Sequence, residues 1–372
     1  MTSVYPALYT QLTAPSALRD GGEPVSQRYR IPNTLEHWPF PRAINPYYEE
    51  CKAESNAWLR AFEVFTPSAQ AAFDRCDFPR LASLGFPKLN KDGCRIGCDL
   101  MNLFFVIDTT SDLSNAHETR QLADCVMDAI RNPYKPRPEG EWVGGTIAQQ
   151  YWQNALKTAS LTAQRRFVSS FQRYLDAVVQ EASDRDHGSI RSIAEYFIIR
   201  RDTIGLLPSL PINEVHFDIP DRVMEHPSVK KLEEVATDMV SIGNDLVSWN
   251  REQSRGEEGH NLVTVVVHEL GLSVQEAFDW IGRYHDGLMQ EFLSLYEDFP
   301  TFSEEGEQVN REIKEYLDDL GRWVRGNDCW SFESKRYFGN EGRKIQNSRA
   351  FELLPKVNVD GSLILNPLAG SR

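Results

Sequence analysis

Oxygen-bearing side chains recur at every fourth position in the stretch NDLVSWNRE, at Asn244, Ser248 and Glu252. Residues four apart lie above one another on a helix, so these three would form a ladder of amide, hydroxyl and carboxylate oxygens on one face. Mg²⁺ prefers oxygen ligands, a few from the protein and the rest from water or substrate phosphates. A solvated polar helix face has the same spacing, so the pattern alone leaves both interpretations open.

The residues before the ladder favour the metal interpretation. Apolar residues recur with helical spacing at Val229, Leu232, Val235, Ala236, Met239 and Val240. This recurrence predicts a buried helix that leads directly into the ladder. A buried carboxylate is costly without a cation beside it, so Glu252 indicates a cation-binding site.

A second candidate site follows the apolar run LFFVI at residues 103–107. Asp108 and Asp112 are again four apart, which places two carboxylates on one helix face. The alternative is a helix that frays into a polar loop. Phe104 and Phe105 precede Asp108 by one turn and would lie just beneath it.

Two further motifs carry positive charge. Arg336 is followed by Tyr337, which together offer a planar guanidinium and a hydroxyl to phosphate oxygens. Mid-chain, Arg201 and Gly205 occur in RRDTIG, where basic residues at a helix end would also serve simply as a C-terminal cap. Neither motif is specific when taken alone.

Helical periodicity dominates the rest of the chain and predicts an all-α fold. The predicted helices are 47–65, 67–76, one that includes 100–108, 144–158, 160–183, 188–201, 226–253, 273–297 and 307–325. Ser273 and Glu276 have the spacing of a capping box. The β-branched run Leu262–Val267 would suit a strand, but helical sequence on both sides favours a buried helix.

Composition limits the possible partners. The chain has 372 residues, a net charge of −14 and 41% hydrophobic residues. The negative charge argues against nucleic acid, and no run suits stable membrane insertion. The six cysteines are few for this length and lack the paired spacing of a metal site, which fits reduced thiols in a cytoplasmic protein. We expect one domain at 28–345, a flexible arm at 1–27 and a C-terminal tail at 346–372, in a monomer or homodimer.

Taken together, these motifs resemble the class I terpene synthases, in particular the sesquiterpene synthases of mushroom-forming fungi. Asn244, Ser248 and Glu252 match the family's metal-binding triad, and Asp108 with Asp112 its aspartate-rich motif. The order and spacing of the motifs agree over roughly residues 30–345. The stretch HWPFPRAINPYYEECKAESNAWL is similar to the N-terminal sequence of this fungal group, especially of protoilludene synthases.

The resemblance also covers the positively charged motifs. Arg336 and Tyr337 match the family's C-terminal pair, and Arg201 with Gly205 its diphosphate-sensing element. Arg251 takes a place where relatives carry a basic residue. Thr109 departs from the pattern, because the family has an acidic residue there, so we expect Asp108 rather than Asp112 to be the principal ligand on its side.

The family's properties imply a helical bundle around a central apolar cavity, with Mg²⁺ held between two walls. The substrate implied is farnesyl diphosphate. The metals and Arg201, Arg251, Arg336 and Tyr337 would bind its diphosphate and help it to leave. Phe104, Phe105 and Trp330 would line the cavity in which the carbocation cyclises to a polycyclic hydrocarbon, which makes the expected enzyme a lyase.

Other classes of protein share part of this pattern. Prenyl chain-elongating enzymes share the fold but carry a second aspartate-rich motif where this chain has the ladder. Protonation-initiated cyclases need a DxDD sequence, whereas Asp318 and Asp319 lack the leading aspartate. A non-catalytic helical protein that binds an isoprenoid diphosphate stays open because of Thr109. An enzyme for another chain length stays open because composition does not give the length of the substrate.

Overall fold

Helices make up nearly all the regular structure in the computed structural model, which describes residues 27–366. The helices are α1 (Tyr48–Arg60), α2 (Pro67–Cys76), α3 (Phe78–Gly85), α4 (Lys91–Ser111), α5 (Ala116–Arg131), α6 (Val143–Ala155), α7 (Leu161–His187), α8 (Ile193–Thr203), α9 (Leu206–Ser209), α10 (Asp221–Met224), α11 (Pro227–Arg255), α12 (Leu262–Leu270), α13 (Val274–Glu297), α14 (Gly306–Glu333) and α15 (Gly342–Ser348). Short 3₁₀ turns lie at Leu210–His216, Glu258–His260, Ser303–Glu305, Gly339–Glu341 and Gly361–Leu363. The predicted all-α class is confirmed. The arm predicted at 1–27 lies outside the described residues except for residue 27.

The helices close into a ring around a cavity. α3 packs on α4, α4 on α6, and α5 on both α6 and α7. The ring continues through α7 on α8, α8 on α11, α11 on α14, and α14 back on α3. None of the helices between residues 27 and 366 combines the length and apolarity that crossing a lipid bilayer requires.

The longest helix, α11, forms the wall that carries the ladder. His226 caps its start and Pro227 occupies its first turn, where a missing N–H costs nothing. The predicted apolar recurrence is buried, with Leu232, Val235 and Ala236 fully inaccessible to solvent. Gly256 ends the helix with φ at 76°, a conformation that favours glycine.

Two helices of the ring were missing from the sequence prediction. In α3, seven of eight residues are buried, so no polar face produces a recognisable period. α5 is amphipathic and begins with a capping box formed by Asn115 and Glu118, a signal that could have identified it. The predicted buried helix at Leu262–Val267 is confirmed as α12, and the capping box at Ser273 and Glu276 is present.

The end of the chain packs on the helical body. Two short strands, β1 (Arg28–Arg30) and β2 (Ala350–Glu352), pair antiparallel. Residues 353–366, here called the C-terminal strap, then run along the end of α11 and past Leu113 to the segment after α1. The backbone N–H of Val357 donates to the carbonyl of Ser254, and that of Asn366 donates to the carbonyl of Val64.

Candidate active site

The predicted ladder lies on the inner side of α11. Asn244 and Glu252 line the central cavity, whereas Ser248 is 2% exposed and lies behind them. The Asn244 carbonyl oxygen accepts a hydrogen bond from Arg200 at 2.7 Å, and its amide donates to the Tyr337 hydroxyl at 2.9 Å. Burial, and then the nearby Asp245 carboxylate, raise the pKa of Glu252 to about 7.

The opposite wall is the end of α4. Asp108 and Asp112 both line the cavity, one turn apart. Burial raises the pKa of Asp112 well above its ordinary value, and the carboxylate of Asp108 raises it further. Asp108 is 42% exposed and accepts a hydrogen bond from Arg336 at 3.2 Å. Both walls therefore bring acidic side chains to one cavity.

This arrangement fits divalent cations. Mutual repulsion of Asp108 and Asp112, and the cost of ionising Glu252, would both be relieved by a cation nearby. Between residues 27 and 366, no three His, Cys, Asp or Glu side chains converge on a single point. The side chains that the two walls do present offer oxygen atoms, the ligand type of hard divalent cations.

The C-terminal pair joins the two walls. The Arg336 guanidinium lies 4.5 Å from the centre of the Phe105 ring and 5.3 Å from that of Phe78. Tyr337 packs edge-on against Trp330, with 5.6 Å between ring centres. The Trp330 indole donates to the carbonyl of Cys76 at 2.9 Å, which fixes the ring in the cavity wall.

One predicted residue lies elsewhere. Arg201 forms two 2.7 Å hydrogen bonds with Asp238 and does not line the central cavity, so the structure does not support its predicted contact with substrate. Consecutive residues on a helix point in different directions, and it is Arg200 that faces inward. Gly205 does line the cavity, with φ at 77° and the Phe104 ring beside it.

Several cavity residues were missed by sequence reasoning. Arg200, Asp245, Glu181 and Arg185 all line it. Burial raises the pKa of Glu181 to about 7, although Arg200 and Arg185 lower it. The only sequence signal was the four-residue spacing of Glu181 and Arg185 near the end of α7. Arg185 donates to the carbonyl of Ser111 at 2.7 Å, which ties α7 to the end of α4.

Arg251 also lines the cavity, as predicted. Burial, and then the positive charge of Arg336, lower its pKa. Together with Arg185, Arg200 and Arg336 it gives the cavity four guanidinium groups, beside an apolar lining that includes Phe104, Phe105 and Trp330. This combination can bind a molecule with a polyanionic head group and an apolar hydrocarbon chain.

Comparisons with known proteins agree with this geometry. A family model described as terpene synthase family 2, C-terminal metal binding, matches residues 99–291. A relative from Stereum hirsutum named Delta(6)-protoilludene synthase is 50% identical over 334 residues, which cover 90% of this chain and 95% of the relative. A relative of the same name from Armillaria gallica is 47% identical over 333 residues, covering 90% and 96% of the two chains.

Solved structures support the fold alone. α-Eudesmol synthase superposes with a TM-score of 0.72 at 24% identity, covering 80% of this chain and 98% of the other. Linalool/nerolidol synthase from Streptomyces clavuligerus gives a TM-score of 0.70 at 20% identity, covering 79% and 99%.

Proposed function

The chain belongs to the terpene synthase family, and from this membership we propose that it is a magnesium-dependent sesquiterpene synthase acting on farnesyl diphosphate. The observation that carries the proposal is the meeting of two oxygen-rich walls, Asp108 with Asp112 and Asn244 with Glu252, across one cavity with aromatic lining. Ser248 completes the second wall from behind. Mg²⁺ held there would neutralise charge that develops on the departing diphosphate.

The cationic side chains would bind the diphosphate oxygens. Arg200, Arg251 and Arg336 supply guanidinium groups, and Tyr337 supplies a hydroxyl. Charge-assisted hydrogen bonds of this kind stabilise a leaving group most when its charge is fully developed, which favours ionisation of the allylic carbon–oxygen bond. Arg200 takes the role that the sequence motif suggested for Arg201.

The apolar lining would protect and guide the carbocation. Phe104, Phe105 and Trp330 present aromatic faces, which attract cations by roughly 0.5–2 kcal/mol and exclude water. The shared name of relatives at 47–50% identity supports Δ6-protoilludene as the product.

The test is incubation of the purified protein with farnesyl diphosphate and Mg²⁺. Diphosphate release would be followed in solution and the extracted hydrocarbons identified by gas chromatography–mass spectrometry. We expect Mg²⁺-dependent release and a protoilludene peak. Geranyl and geranylgeranyl diphosphate serve as substrates of other chain lengths.

Two variants link the activity to the ladder. Glu252→Gln and Asn244→Ala should abolish Mg²⁺-dependent release while helical circular dichroism stays intact. Full turnover in either variant would refute the ladder as a metal site. A different sesquiterpene would refute only the product, whereas no release from any of the three substrates would favour a non-catalytic isoprenoid-binding protein.

A further inference from the structure

The turn between α11 and α12 folds back onto the ladder. After Gly256 ends α11, a single 3₁₀ turn at Glu258–His260 leads to Asn261, which caps the start of α12. Asn261 is 1% exposed. The turn brings Asn261, nine residues after Glu252 in sequence, into contact with the Glu252 carboxylate.

The orientation of the Asn261 amide is set by its own cap. Its side-chain oxygen accepts from the backbone N–H of Val263 at 2.9 Å. The amide nitrogen must then face the opposite way, toward α11. There it donates to the carbonyl oxygen of Asp245 at 3.0 Å.

The same nitrogen contacts two members of the ladder. It lies 2.9 Å from Oε2 of Glu252 and 3.2 Å from Oγ of Ser248. A second tie strengthens the turn, because the backbone N–H of Leu262 donates to the carboxylate of Asp245 at 2.6 Å. The two hydrogens of this NH₂ group are shared among three oxygens, the Asp245 carbonyl, Glu252 Oε2 and Ser248 Oγ, so one amide contacts both side chains of the second wall.

We propose that Asn261 is a positioning residue for this wall. By holding Oε2 of Glu252, it leaves the other Glu252 oxygen free for a divalent cation, and it fixes Ser248 in place behind that carboxylate. The Asn261 amide does not itself bind the ion, because its oxygen is taken by the helix cap. This inference rests on the proposed metal-binding role of the ladder.

A purely structural role would be capping of α12, and one substitution separates the two. Serine caps helices about as well as asparagine but cannot reach Glu252 with an N–H donor. Asn261→Ser therefore keeps the cap and removes the positioning contact. Asn90 also caps a helix, α4, through an accepted hydrogen bond from the N–H of Gly93, so Asn90→Ser is the matched control.

The experiment measures metal binding without turnover. Mn²⁺ would replace Mg²⁺ in the presence of inorganic diphosphate, and electron paramagnetic resonance would measure the concentration of unbound Mn²⁺. We expect Asn261→Ser to weaken Mn²⁺ binding by about tenfold or more, the scale of one hydrogen bond to a charged group, and Asn90→Ser to leave it unchanged. The Mg²⁺ concentration for half-maximal diphosphate release should rise in parallel.

The outcomes separate this inference from the proposed function. If the unaltered protein fails to bind Mn²⁺ with diphosphate, the ladder is not a metal site. If it binds and Asn261→Ser binds equally well, Asn261 is only a cap. Should Asn261→Ser not fold, Asn261→Asp keeps the cap and shape but cannot donate from a carboxylate; weakened binding then supports the inference, and equal or tighter binding overturns it.

Discussion

Arg336 reaches across the cavity to Asp108, with 3.2 Å between its Nη2 and the carboxylate Oδ2. The two residues are 228 positions apart and belong to different sequence motifs. The contact leaves a carboxylate and a guanidinium beside the place where both cations and phosphate oxygens are proposed to bind. A bound diphosphate and Mg²⁺ would give each partner a stronger counter-charge than the other provides.

Arg336→Lys should therefore lower kcat/KM for diphosphate release by roughly 10- to 100-fold. Lysine keeps the charge but loses the planar fork that binds two phosphate oxygens and stacks on Phe105. Steady-state kinetics would show the loss. Arg343→Lys is the control, because Arg343 is 63% exposed; an equal loss there would show that the effect is not local.

Arg200 and Arg201 make a second, paired prediction. Arg200 is 12% exposed and contacts Asn244 and Asp245, so Arg200→Lys should reduce kcat/KM by roughly tenfold or more. Arg201 is occupied by Asp238 outside the cavity, so Arg201→Lys should change kcat/KM little and act only on thermal stability. The reverse ranking would restore the interpretation based on the sequence motif.

This pair also illustrates what the sequence could predict. The ladder was recognisable because its spacing of four survives any detail of packing, and a helix must place Asn244, Ser248 and Glu252 on one face. The choice between Arg200 and Arg201 could not be made, because it depends on where α11 meets α8. Asp245 and Asp238 lie two turns apart on α11 and pair with different arginines.

The positions of Asn261 and Glu181 at the cavity could not be predicted from the sequence, for a related reason. Neither belongs to a periodic pattern that distinguishes it from an ordinary cap or a solvated carboxylate. Asn261 acquires its partners only when the turn after α11 folds back, and Glu181 faces the cavity only once α7 packs in the ring. Long-range contacts of this kind leave no mark in local sequence.

The two neighbouring phenylalanines should respond differently to substitution. The Phe104 ring packs against Tyr174, with 4.9 Å between ring centres, and within residues 27–366 no guanidinium or ammonium group lies over it. Phe104→Leu should therefore change the product mixture with little change in ionisation rate. Phe105 stacks on Phe78 at 3.6 Å and lies under Arg336. Phe105→Leu should thus alter products and also lower kcat/KM by roughly 2- to 30-fold, the range of a cation–π contact.

Product analysis and diphosphate release on the same samples would check this pair. Equal rates for both variants would mean that Phe105 does not support Arg336. An unchanged product mixture from Phe104→Leu would place its ring in the structural core only.

Glu181 predicts a pH-dependent stability in the absence of metal. Its folded pKa of about 7 exceeds the ordinary 4.5, so the unfolded chain binds fewer protons between these values and stability falls as pH rises through this window. Glu181→Gln removes this cost. The variant's free energy of unfolding should match that of the unaltered protein below pH 4.5 and exceed it above pH 7. The difference should be at most about 3 kcal/mol, and smaller because water screens the Glu181 side chain, which is 26% exposed.

Urea unfolding in a chelating buffer at several pH values would measure the difference. Glu49→Gln, on an exposed face of α1, is the control and should show no such window. A Glu181→Gln variant that is less stable than the unaltered protein at pH 8 would contradict the prediction.

The C-terminal strap joins the rims of both walls, which makes its removal informative. It bonds to Ser254 at the end of α11, lies against Leu113 directly after Asp112, and ends at Val64. Truncation after Glu352 should lower the melting temperature by several degrees, because the backbone carbonyls of Ser254 and Val64 would lose their hydrogen-bond donors. With the walls less firmly held, water should reach the carbocation more often and the share of hydroxylated products should rise.

Truncation after Asn366 keeps the strap and is the matched control. Calorimetry and product analysis would measure both effects, and a shortened chain that melts and cyclises like the control would show that the strap holds neither wall.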